Sequence, residues 1–184
     1  MTPSHSPAGA QVLQRADAWA RHQAHAYRRD TDEARPLGGY TSALAVYGSG
    51  VAALAAAVRL QRKRVPREIR PWDVALLGLA THKLSRTLAK DAVTSPLRAP
   101  FTEYEGAAGD AEVMEESREH GGPRHALAEL LTCPFCLAQW VATAFVGGSV
   151  FAPRFTRLAE ATMAGVAVSD FLQLAYAAMQ KLSR

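Results

Sequence analysis

Charge is distributed along this chain in blocks, and that distribution constrains the fold more than any motif. Residues 41–58 carry no charge, nor do residues 130–153, and residues 161–180 hold only Asp170. The blocks give way to Arg59, to Arg154 and to Lys181 respectively. A helix needs about 20 mostly apolar residues to cross the hydrocarbon core of a bilayer. The segments 130–151 and 161–179 reach that length, and 41–58 nearly does. A fourth stretch, 72–89, is apolar but interrupted by Asp73, His82, Lys83 and Arg86, so it spans, re-enters or lies along the interface. The competing reading is a soluble bundle of long alanine-rich helices. Three such blocks in 184 residues, each with a basic exit, favour the membrane. The mean hydropathy of −0.09 hides this pattern by averaging over it.

The fold expected is all-α: an integral membrane bundle of three to four helices, residues 39–182, behind a polar N-terminal extension, 1–38. An apolar content of 48% excludes a disordered chain, and two cysteines exclude a disulfide-rich secreted scaffold. Residues 1–39 contain no apolar h-region, so no secretory signal is expected. Within them, 10–27 suits a short helix carrying Trp19 and Tyr27, and 31–39 reads as a linker broken by Pro36, Gly38 and Gly39. The run 59–70 holds six basic residues (Arg59, Arg62, Lys63, Arg64, Arg67, Arg70) against Glu68, the flank expected on the cytoplasmic side. Residues 103–119 form an acidic loop.

At 100° per residue, Glu129, Thr132, Cys133, Cys136, Trp140, Thr143 and Gly147 fall on one stripe of the third apolar segment. Thr162, Gly165, Ser169, Gln173, Tyr176 and Gln180 share a stripe of the fourth. Small and polar residues gather where membrane helices touch, so the two stripes are expected to face each other across an antiparallel hairpin. Gly48, Gly50 and Ala53 offer a further small face for association. Asp170 is costly at membrane depth unless it is neutral, wet or paired. Its candidate cations are Arg86 and Lys83, on a helix face that also carries His82 and Lys90.

Cys133-Pro134-Phe135-Cys136 opens the third segment, with Pro134 tolerated in a helix's first turn. The pair has three readings. It is a redox dithiol of the kind found at helix N-termini, half of a zinc site completed by His120 and His125, or two small packing residues. No nucleophile–base set, phosphate loop or dinucleotide fingerprint stands out. The basic run lacks interleaved aromatics, so no nucleic-acid partner is expected.

The run from Lys83 through Arg86, Lys90, Asp91, Pro96, Leu97, Arg98 and Pro100 to Phe101, together with Cys133-Pro134-Phe135-Cys136 and Trp140, resembles the bacterial domain-of-unknown-function family 1360. Its members pair a K-x-x-R…K/R-D…P-L-R-x-P-F stretch with a C-P-x-C…W helix. Gln139 stands where the family pattern has a small residue, and His120 and His125 lie outside the pattern. The resemblance covers about residues 38–182. It implies a small multi-pass protein of the bacterial cytoplasmic membrane and supplies no chemistry.

Read physically, Thr94-Ser95-Pro96 stops a helix and holds Arg98 on stiff, extended backbone, for lipid phosphate or for a structural ion-pair network. Phe101 and Tyr104 would sit at the interface. The polar centre expected is Lys83, Arg86, Lys90, Asp91, Arg98, Trp140 and Asp170. Two functions stay open: a non-catalytic membrane component, partnered by the bilayer and by a second copy or another membrane protein, and a thiol-redox or metal-binding protein using Cys133 and Cys136. No cofactor is identified.

Overall fold

The computed structural model describes residues 37–183 except Arg67 and Asp110, together with Ala18, Trp19, His22, Gln23 and Tyr27. Most of the N-terminal extension expected from the sequence therefore lies outside the described residues. Within residues 37–183, six helices and one hairpin follow in order: α1 (Leu37–Leu60), α2 (Pro71–Lys90), a 3-10 turn (Ala92–Thr94), α3 (Ser95–Arg98), β1 (Thr102–Gly109), β2 (Glu112–Ser117), α4 (Gly122–Thr132), α5 (Pro134–Phe151) and α6 (Pro153–Leu182). Prolines begin α2, α5 and α6, where a missing N–H costs no intrahelical bond.

The expected linker ends earlier than its glycines suggest, because Gly38 and Gly39 lie in the first turn of α1. Gly39 is there for contact. A Cβ at this position would lie 2.6 Å from the Gly122 carbonyl oxygen and 2.8 Å from Ala126 Cβ, so α1 and α4 touch backbone to backbone. Added Cβ atoms at Gly48 and Gly50 would meet nothing within 4 Å, so both lie open on α1.

Side-chain pairs along the helices fix their directions. From one end to the other, Tyr40 reaches Glu129, Tyr47 reaches Thr143, Leu54 packs on Gly147, and Lys63 reaches Phe151. Helix α1 thus runs parallel to α4 and α5. Asp73 pairs with Arg157 and Lys83 with Asp170, so α2 and α6 also run parallel to each other. Both are antiparallel to α5, with Leu84 and Leu88 of α2 against a core of Ala80, Ala89, Leu137, Val141 and Phe145. The basic 59–70 loop and the α5–α6 turn therefore share one end of the bundle. The hairpin and the cysteines share the other.

The all-α expectation is corrected by β1 and β2. The segment expected as an acidic loop is an antiparallel hairpin pairing Thr102 with Ser117, Tyr104 with Glu115 and Gly109 with Glu112, irregular between Tyr104 and Gly106 and again between Ala107 and Gly109. Its sequence is glutamate-rich and poor in β-branched residues, so local propensity argues against strands. Tertiary contacts override it. The Ala92 N–H donates to Ala111 O, Arg118 N–H donates to Phe101 O, and two glutamates on β2 meet arginines from the helices.

The uncharged third segment is divided by Cys133, whose extended backbone separates α4 from α5. Among the described residues two helices, α1 and α5, are long and apolar enough to cross a membrane. That is fewer than the three or four expected, because α2 is interrupted by Asp73, Lys83 and Arg86, and the apolar stretch of α6 is diluted by Thr162, Ser169, Asp170 and Gln173.

Candidate functional site

The residues singled out in the sequence gather at the hairpin end of the bundle, in three groups. The first is built around Arg98. Its expected extended backbone is corrected: Arg98 closes the single turn α3 and is helical. It is also the most deeply buried large side chain described, at 1% exposure. A guanidinium can be buried only if its donors are satisfied. Nε donates to Glu115 Oε2 at 2.5 Å, and Nη2 donates to Glu115 Oε1 at 3.2 Å, Ser95 Oγ at 3.2 Å and Asp91 O at 3.1 Å. Nη1 donates to Leu88 O at 2.6 Å and Thr94 Oγ1 at 2.7 Å.

The Leu88 bond has a particular cause. Continuing α2 would require the Ala92 N–H to reach Leu88 O, but that N–H turns away to Ala111 O. The guanidinium takes its place and caps the helix, where a cation is also favoured by the helix dipole. Glu115 accepts from Ser95 Oγ at 2.8 Å and from Thr102 Oγ1 at 3.4 Å besides Arg98. Burial pushes its carboxyl up, and the bonds from Arg98 and Ser95 with the charge of Arg98 outweigh that, leaving it below its ordinary value. Glu115 was missed in the sequence because nothing distinguishes it from Glu103, Glu105, Glu112 and Glu116 in the same segment.

The second group joins α2 to α6 and to the hairpin. Lys83 Nζ lies 2.9 Å from Asp170 and 4.0 Å from Asp91. Arg86, the other cation considered for Asp170, instead makes a two-toothed pair with Glu112, at 2.6 and 2.8 Å. His82 stacks on Phe171 with ring centres 5.7 Å apart. Lys90 ends α2 without joining an ion pair among the described residues.

The third group holds the cysteines. Cys133 is the N-cap of α5, and its sulfur accepts from the Cys136 N–H at 3.2 Å, in the place usually taken by a serine or aspartate oxygen. Both cysteines are free; Cys133 is half-buried and Cys136 exposed. The zinc set suggested by His120 and His125 is not assembled. His125 uses Nδ1 at Glu119 O and Nε2 toward Glu129, and no three His, Cys, Asp or Glu residues converge in metal-binding geometry among those described.

The expected facing of the α5 and α6 stripes is also corrected. Trp140, Thr143 and Gly147 turn toward α1: Trp140 meets the Tyr47 ring edge-on at 5.1 Å, and Tyr47 Oη joins Thr143 at 2.8 Å and Gln139 Nε2 at 2.8 Å. The face α6 buries is Thr156, Glu160, Ala164 and Ala167, leaving Thr162, Gly165, Ser169 and Gln173 off the core. Gly148 accounts for the choice, since only a glycine there admits Thr156 at the start of α6. The third-segment stripe is also cut at Cys133, which leaves Glu129 and Thr132 on α4 and Cys136, Trp140, Thr143 and Gly147 on α5.

No curated protein and no solved structure matches the chain. The model of a family described as a protein of unknown function, DUF1360, matches residues 76–176, which takes in most of α2, the hairpin, the cysteine pair and most of α6. That match covers more than half of the sequence, and the chain belongs to the DUF1360 family.

Proposed function

We propose that this protein is an integral component of the bacterial cytoplasmic membrane, with a structural rather than catalytic role. The observation that carries the proposal is α1. It has 24 residues, no charge until its last turn, and Gly39 as its only buried residue. A soluble protein buries such a helix in its core; lipid leaves it apolar and uncovered. At about 1.5 Å per residue its length is about 36 Å, enough to cross the hydrocarbon core. Helix α5 crosses beside it, and α2 and α6, packed antiparallel to α5, complete a four-helix bundle with Lys83 and Asp170 neutralising each other. The basic 59–70 end faces the cytoplasm, and the hairpin and cysteines face outward.

The charged centre supports a structural role because three of its cations are spent on carboxylates of this chain, Arg98 on Glu115, Arg86 on Glu112 and Lys83 on Asp170. A thiol-redox role is the second reading. It is favoured by one observation, the Cys136 N–H directed at the Cys133 sulfur at the head of a long helix.

Alkaline carbonate extraction followed by labelling of the cysteines in intact cells tests both readings. Retention in the pellet is the expected result, and release into the supernatant would overturn the membrane proposal. Labelling by a membrane-impermeant reagent only after reduction would raise the redox reading above the structural one. Labelling without prior reduction would favour structural cysteines.

A further inference from the structure

Two apolar grooves flank α5 and share Trp140, Ala144 and Gly148. One, of about 420 Å³, lies between α5 and α1 and passes Gly50 and Leu54. The other, of about 590 Å³, lies among α2, α5 and α6 and ends at Phe155 and Thr156. The hydroxyls in their walls are already used: Tyr47 and Thr143 bond each other, and Thr156 donates to Ala152 O. The walls are therefore predominantly apolar.

Both grooves reach the C-terminal end of α5, and that end is basic. Lys63 Nζ stands 5.9 Å from the centre of the Phe151 ring, which closes the first groove. Arg59 lies in the last turn of α1 and Arg154 in the first turn of α6. Arg70 and Arg157 are paired with Asp73, but Arg59, Lys63 and Arg154 have no carboxylate partner among the described residues.

We propose that the two grooves hold the two acyl chains of one anionic phospholipid, with its headgroup among Lys63, Arg59 and Arg154. Two grooves on either side of one helix suit a ligand with two chains and one head. Unpartnered cations at their common end select a negative head. This site rests on the membrane reading above and goes beyond it: a spanning protein needs only bulk lipid, whereas this one would retain a particular class.

Trp140 lines both grooves and reports on them. In the full chain carrying Trp19→Phe and Trp72→Phe it is the sole tryptophan. This protein is reconstituted into phosphatidylcholine vesicles containing an equal fraction of either brominated phosphatidylglycerol or brominated phosphatidylcholine, and its fluorescence quenching is compared. The expected result is a preference for the anionic lipid of about fivefold for each cation engaged. Arg59→Gln, Lys63→Gln and Arg154→Gln together should reduce that preference to near unity. Gly50→Leu should weaken quenching by both lipids, because a Cβ at Gly50 meets open space and a longer side chain fills the groove without a clash. Equal quenching by the two headgroups, or quenching that Gly50→Leu leaves unchanged, would overturn the proposal while the membrane reading stands. A chain that does not float with the vesicles would overturn both.

Discussion

Replacing Arg98 by methionine tests whether the hairpin is held by a buried charge. The substitution keeps much of the apolar stem and removes every donor. It leaves Glu115, 9% exposed, as a carboxylate without its cation. It also leaves Leu88 O without the donor that caps α2. Removing one partner of a buried ion pair costs about 3–5 kcal/mol. Replacing both, as Arg98→Met with Glu115→Leu, removes the stranded charge but still orphans Leu88 O, a cost of about 1–3 kcal/mol. The double variant should therefore be the more stable of the two by about 2 kcal/mol. Arg98→Lys should fall near the single variant, since one ammonium cannot reach the carboxylate, Leu88 O and Thr94 Oγ1 together. Reversible unfolding of the full chain in detergent micelles, followed by circular dichroism, reads these differences. If Arg98→Met unfolds within about 1 kcal/mol of the parent, or if the two substitutions simply add, the pair does not hold the hairpin to α2.

Other consequences are equally direct. Because the folded-state value of Glu115 is lowered, its contribution is present above the ordinary value of 4.5 and is lost as pH falls through the lowered one; melting temperature should drop on that acid limb, and Glu115→Gln should flatten the drop. Gly148→Ala would bring a Cβ within 2.6 Å of Thr156 Oγ1 and should destabilise by about 1–3 kcal/mol, with relief on adding Thr156→Ala, whereas Gly50→Ala should be harmless in the same melts. Cys133→Ser keeps an N-cap acceptor and should leave the melting temperature unchanged, while Cys133→Ala should lose about 1 kcal/mol. A redox role instead predicts that Ser at either cysteine abolishes function in a complementation assay, whatever the melt shows.

The sequence was legible where it spoke through composition and spacing. Charge-free blocks located α1 and α5, Pro134 located the start of α5, and two separated motifs pointed to the family. It was not legible where one residue's meaning depended on a distant one. Strand propensity alone would keep residues 102–117 as a loop, and the partners that meet Glu112 and Glu115, Arg86 and Arg98, lie on other elements. Gly38 and Gly39 have the local signature of a breaker, yet Gly39 is a contact residue whose reason lies at Ala126. Lys83 and Arg86 were equivalent candidates for Asp170 on spacing. Only the placement of β2 separates them, by engaging Arg86 first.

The helix directions connect these local findings to the cysteines. The decisive element is α2, whose polar residues interrupt its apolar pattern. As one continuous helix of 20 residues antiparallel to α5, it carries the chain from the basic end to the hairpin end before the cysteines are reached. The same α2 then needs Arg98 to terminate it and Glu115 to permit Arg98, so the hairpin and the helix cap are one linked arrangement, at the end of the bundle where Cys133 begins α5. Loosening Arg98 should therefore change the labelling of Cys133 and Cys136 before it changes the packing of α1, which is tied to α4 and α5 through contacts that do not involve α2.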